Sequence, residues 1–107
     1  MFRNCFAALM VGALSLVSAS AFAEDAKVTI DNFTFTPSEL HVAVGSNVTW
    51  TNNDDIPHTV VDADTPKTTK SPPLDTGDHY SRVFDKPGTY HYFCSLHPHM
   101  QGTVVVQ

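Results

Sequence analysis

The chain has 107 residues, 42% of them apolar and 16% charged, a balance that excludes a disordered tail, a collagen and a polytopic membrane protein. Its length suits one domain, near the lower end of what a single hydrophobic core holds without help from a metal or a disulfide. The 6 Lys and Arg against 11 Asp and Glu give a net charge of −5 and form no basic cluster that could neutralise phosphates, which excludes nucleic acid as a partner.

In chain order, the first predicted element is an export signal over residues 1–23. Arg3 lies in a short basic start, an apolar run follows from Phe6 to Val17, and Ala21-Phe22-Ala23 forms a small-residue cleavage site before Glu24 and Asp25. The run is shorter than the roughly 18 residues a membrane span needs, and no second run follows. Cleavage would leave residues 24–107 as one exported domain with no membrane span. It removes Arg3 and Cys5, which moves the net charge from −5 to −6 and leaves Cys94 as the lone cysteine. No intrachain disulfide is then possible. Outside the cytoplasm a single thiol is a liability unless something occupies its sulfur.

Beyond the signal, apolar residues alternate instead of recurring at helical spacing, and β-branched and aromatic types dominate. Strands are predicted over Lys27–Ile30, Glu39–Val42, Asn47–Asn52, His58–Asp62, Tyr80–Phe84, Gly88–Cys94 and Gly102–Val106. Turn chemistry separates them at Asp31-Asn32, Thr36-Pro37-Ser38, Gly45-Ser46, Asn52-Asn53-Asp54-Asp55 and Asp85-Lys86-Pro87-Gly88. The pattern predicts an all-β sandwich or barrel. The polar segment Ala63 to Asp78 is the one long connection, with an edge strand predicted around Ser71 to Leu74, where Pro72 and Pro73 confine it to the sheet margin.

Alternation also assigns faces. Val48 and Trp50 share the inward side of their strand, and Tyr90 and Tyr92 share the parity of Cys94. Tyr90, just after Asp85-Lys86-Pro87-Gly88-Thr89, sits as a tyrosine corner does, its phenol expected to bond upstream backbone. His41, His79, His91 and His99 are expected to be solvated surface residues.

The chemistry concentrates in Cys94-Ser95-Leu96-His97-Pro98-His99-Met100. Cys94, His97 and Met100 at C-x2-H-x2-M spacing offer a thiolate, an imidazole and a thioether from one loop between the last two strands. A thiolate, two imidazoles and a weak thioether are the donors of a blue-copper centre, whereas zinc takes four firm N or S ligands and calcium takes oxygen. The missing imidazole is assigned to His58, in Ile56-Pro57-His58-Thr59-Val60, with prolines beside both histidines stiffening the backbone.

With these residues, the chain resembles the amicyanin-like cupredoxins of the plastocyanin/azurin group of type 1 blue copper proteins. The resemblance covers nearly all of residues 27–106. It includes Phe35-Thr36-Pro37, Val48-Thr49-Trp50, Pro57-His58, Phe84 to Tyr90, and the ligand loop running into Gly102-Thr103-Val104-Val105-Val106. It implies a cupredoxin-like Greek-key β-sandwich of about eight strands. It further implies one copper ion cycling between Cu(I) and Cu(II), bound by His58, Cys94, His97 and Met100, and a monomeric periplasmic carrier of single electrons. The partners would be transient redox proteins such as a cytochrome c or a periplasmic dehydrogenase. It also suggests that His97 leaves reduced copper on protonation. Two positions depart from the family pattern: Thr59 stands where Asn is usual, which should weaken the hydrogen bonding around the thiolate, and His99 stands where an aromatic such as Phe is common.

Other readings are a periplasmic copper-handling protein, which would favour exposed Met-rich or His-rich sites, and a cysteine hydrolase or thiol oxidoreductase, which would need a substrate cleft or a second thiol. Docking is expected through an apolar ring of Pro57, Leu96 and Pro98 around His97, with Asp54, Asp55, Asp62 and Asp64 steering a basic partner.

Overall fold

A computed structural model describes residues 22–107. Most of the expected signal, residues 1–21, lies outside the described residues. The described chain contains no helix long and apolar enough to cross a membrane.

Eight strands follow one another: β1 (Asp25–Asp31), β2 (Thr34–Thr36), β3 (Glu39–Val42), β4 (Ser46–Asn52), β5 (Val61–Asp62), β6 (His79–Phe84), β7 (Gly88–Cys94) and β8 (His97–Val106). They form two four-stranded sheets, ordered β2-β1-β4-β6 and β3-β8-β7-β5. Within each sheet one pair is parallel, β1 with β4 and β3 with β8, and the other pairs are antiparallel. This is the all-β cupredoxin sandwich that the resemblance implied.

Alternation supplies the core, since every second residue of a strand faces the opposing sheet. Val28, Ile30, Phe35, Val48, Trp50 and Phe84 come from the first sheet; Val42, Tyr92, Cys94, Met100, Val104 and Val106 come from the second. Trp50 is fully buried and packs against Tyr92 with ring centroids 5.3 Å apart. The Tyr90 phenol donates to Lys86 O at 2.8 Å, as a tyrosine corner should. Gly102 on β8 faces Tyr92 on β7, and a Cβ there would run into the phenol ring. The close approach of ring to backbone requires glycine.

The structure differs from expectation at three places. β2 was not foreseen, because three residues between two turns carry too little alternation to register. The strand expected over His58–Asp62 is paired only at Val61–Asp62, and the edge strand around Ser71 to Leu74 does not form. Isolated bridges join His58 to Leu74 and Val61 to Lys70 instead, since Pro72 and Pro73 cannot donate to a continuous ladder. The third difference is the ligand loop. β8 begins at His97, not Gly102, so Cys94 pairs with His97 across a turn of only Ser95 and Leu96.

Candidate metal centre

The site lies at the end of the sandwich where β7 turns into β8. Cys94 closes β7 beside a register irregularity at Phe93/Cys94, keeps the inward parity of Tyr92, and is fully buried. His97 opens β8 and is half-buried. His58 arrives from 36 residues upstream of Cys94, pinned by reciprocal backbone hydrogen bonds with Leu74 at 3.1 and 2.7 Å, and is fully buried.

These three residues converge. Cys94 Sγ stands 3.8 Å from His58 Nδ1 and 3.7 Å from His97 Nδ1, and the three atoms lie within 4.8 Å of one another. Met100, three residues past His97, is buried in the same core cluster as Cys94. A soft sulfur flanked by two ring nitrogens fits a single copper ion; among the described residues no carboxylate oxygen joins the cluster, as calcium would demand.

The surroundings tune the sulfur. Burial pushes the Cys94 thiol up, but the Thr59 N–H, His58, His97 and the Thr59 hydroxyl outweigh it and bring the thiol down to about 6. The Thr59 N–H reaches Sγ at 3.3 Å and its hydroxyl reaches it at 3.7 Å. That hydroxyl also lies 2.8 Å from Ser95 Oγ and accepts from Ser95 N–H at 2.7 Å. Threonine therefore ties the His58 segment to the Cys94 turn through its backbone N–H and its hydroxyl.

Asp54 was placed among the surface steering charges, and the structure corrects this. It is buried, with Oδ2 2.9 Å from His58 Nε2 and accepting the Phe33 N–H at 3.1 Å. The His58 hydrogen bond, with the Phe33 N–H, holds its carboxyl down at about 2. Asp62 is also internal: Oδ2 accepts from Thr68 N at 2.9 Å and Thr69 N at 2.7 Å, and Arg82 lies 3.5 Å away. Asp55 and Asp64 remain exposed.

Sequence reading missed Phe33 altogether. Its ring makes T-shaped contacts with both His58 and His97. The signal was a large apolar residue in a turn, which by itself is common. His41, His79, His91 and His99 are exposed, as expected, with His41 paired to Glu39 at 2.7 Å.

Residues 23–107 match the family model of copper-binding proteins of the plastocyanin/azurin family. Amicyanin-alpha of Methylorubrum extorquens is 41% identical over 104 residues, covering 94% of this chain and 87% of the relative. A purple cupredoxin from Nitrosopumilus maritimus superposes with a TM-score of 0.73 at 37% identity, over 77% of this chain and 99% of that one. An amicyanin variant in its Cu(I) form does so with 0.73 at 36% identity, over 84% of this chain and 94% of that one. The chain belongs to the plastocyanin/azurin family of copper-binding proteins. Within that family it is an amicyanin-like cupredoxin, and its cofactor is one type 1 copper ion.

Proposed function

We propose that the chain is a periplasmic electron carrier, exported by residues 1–23, folded over residues 24–107, and holding its copper through His58, Cys94, His97 and Met100. The observation that carries this reading is the convergence of two imidazole Nδ1 atoms and one thiolate from remote parts of the chain. Copper bound there takes up and releases a single electron. The chain's own residues do the rest: β7 and β8 fix Cys94 against His97, the Leu74 pairing and Asp54 fix His58, and Thr59 donates to the sulfur. A frame that holds the donors in place keeps reorganisation small when the charge changes.

The burial of Cys94 leaves no open approach to its sulfur for a substrate, which supports a carrier over an enzyme. Exposed Leu96, Pro57 and Pro98 lie next to His97 in sequence or beside its partner histidine, and form the docking ring. Partners of this class make small, transient contacts, and a monomeric carrier meeting a cytochrome c or a dehydrogenase fits that pattern. Asp55 and Asp64 are the acidic groups of the original four left free to steer a basic partner.

The test is addition of copper(II) to the metal-free chain from Glu24 onward. An intense blue thiolate-to-copper absorption, lost in Cys94→Ser, is the expected result. A colourless complex would overturn the ligand assignment. Rapid release to a chelator in both oxidation states would point to copper handling.

A further inference from the structure

The β1–β2 hairpin turns through Asn32 and Phe33, both in the left-handed region with φ of 52° and 57°. A two-residue turn with positive φ at both central positions favours Asn-Gly, because glycine has no Cβ to crowd the backbone. Phe33 puts a bulky ring at the second position, which strains the backbone. Core burial does not account for it, since the residue is 52% exposed.

The ring's neighbours do account for it. Phe33 stands T-shaped to His58, centroids 5.6 Å apart and planes at 86°, and T-shaped to His97 at 5.1 Å and 87°. Its N–H donates to Asp54 Oδ2, the oxygen that also holds His58 Nε2. One carboxylate oxygen therefore ties the strained turn to the imidazole it leans on.

The two imidazoles are held unequally. His58 is buried and anchored by Asp54, whereas His97 is half-buried and, among the described residues, its ring nitrogens meet no partner but Cys94 Sγ. Its ring lies 5.0 Å from that of His58, with planes tilted by 58°. Packing must do for His97 what a hydrogen bond does for His58, and Phe33 is the ring that touches both.

We propose that Phe33 is a positioning residue: an aromatic brace that holds the His97 imidazole against His58 and so slows loss of metal from the more exposed ligand. The inference rests on the assignment of both histidines as copper ligands. Backbone strain at Phe33 is then the structural counterpart of a fixed ligand geometry.

The test compares Phe33→Gly, Phe33→Leu and Phe33→Tyr in the copper-loaded chain. Phe33→Gly creates the favoured Asn-Gly turn and so preserves the hairpin. Reduced copper should pass to bathocuproine disulfonate about tenfold faster from the Gly and Leu variants, as loss of two aromatic contacts implies, and near the parent rate from Tyr. In the metal-free chain, NMR couplings should report averaging of His97 χ1 in the Gly and Leu variants, with His58 unchanged. Parent-like release and couplings in Phe33→Leu would overturn the brace. Absence of the blue absorption in the parent would instead overturn the ligand assignment, an outcome the metal-free measurement distinguishes.

Discussion

Asp54 Oδ2 lies 2.9 Å from His58 Nε2, while Nδ1 of the same ring faces Cys94 Sγ. A carboxylate held down at about 2 only accepts, so Nε2 keeps its proton and Nδ1 is the nitrogen left to give its lone pair when a metal binds. The negative charge also makes the imidazole a stronger donor and favours the more highly charged copper state. Asp54→Asn keeps the shape and removes the charge. It should weaken copper(II) binding by about tenfold or more and raise the reduction potential. Chelator competition and voltammetry measure the two effects, and parent-like values in both would exclude an electrostatic role for the carboxylate.

Thr59→Val separates the hydroxyl from the backbone donor. The N–H to Cys94 Sγ survives, while the hydroxyl contacts to Sγ, Ser95 Oγ and Ser95 N are lost. Removing a hydrogen bond from the thiolate leaves the sulfur more electron-rich, so the potential should fall. Stability of the metal-free chain should drop by about 1–2 kcal/mol from the unpaired Ser95 N–H. Chemical denaturation and voltammetry test both, and an unchanged potential would place sulfur tuning on the backbone alone.

The metal-free protein should become more stable as pH rises from about 6 to 9. The Cys94 thiol titrates near 6 in the folded chain against 9.0 for an unperturbed thiol, despite burial that opposes ionisation. Between these values the unfolded chain holds the proton and the folded chain does not, so stability grows with pH and is lost as pH falls through 6. Thiolate absorbance against pH, with unfolding midpoints at pH 6 and 9, checks this. A folded thiol titrating near 9 would contradict it.

Gly102→Ala should destabilise the fold by about 1–3 kcal/mol, because the new Cβ meets the rigid, buried ring of Tyr92. Tyr92 sits two residues before Cys94 on the same strand, so relief of the clash would move the backbone that carries the sulfur. Thermal unfolding and the intensity of the blue band should change together. Loss of stability with an unaltered band would show that the ring yields and the strand does not.

Much of this was legible in the sequence because it depends on local pattern. Alternation located six strands that carry the core, β1, β3, β4, β6, β7 and the second half of β8, and the spacing of Cys94, His97 and Met100 belongs to a single hairpin. His58 was legible only because the donor set needs two imidazoles and the Cys94, His97, Met100 spacing supplies one. Asp54 was not legible, since in Asn52-Asn53-Asp54-Asp55 it reads as one more solvated turn residue. Its carboxylate is engaged by the N–H of Phe33, 21 residues upstream, and by His58 Nε2, contacts that local sequence does not announce. Phe33 was invisible for the complementary reason: a lone aromatic in a turn acquires its role only when distant imidazoles are packed against it.

The second sheet places β8 and β7 at its centre and β3 and β5 at its margins. The margin strands are synthesised first and have no partner in that sheet until residues 88–107 emerge. A nascent or prematurely terminated chain that ends before residue 88 thus carries half a sandwich and, of the proposed ligands, His58 alone. On the proposed ligand assignment, cofactor capture waits for the completed polypeptide, because of the order in which the ribosome delivers its strands.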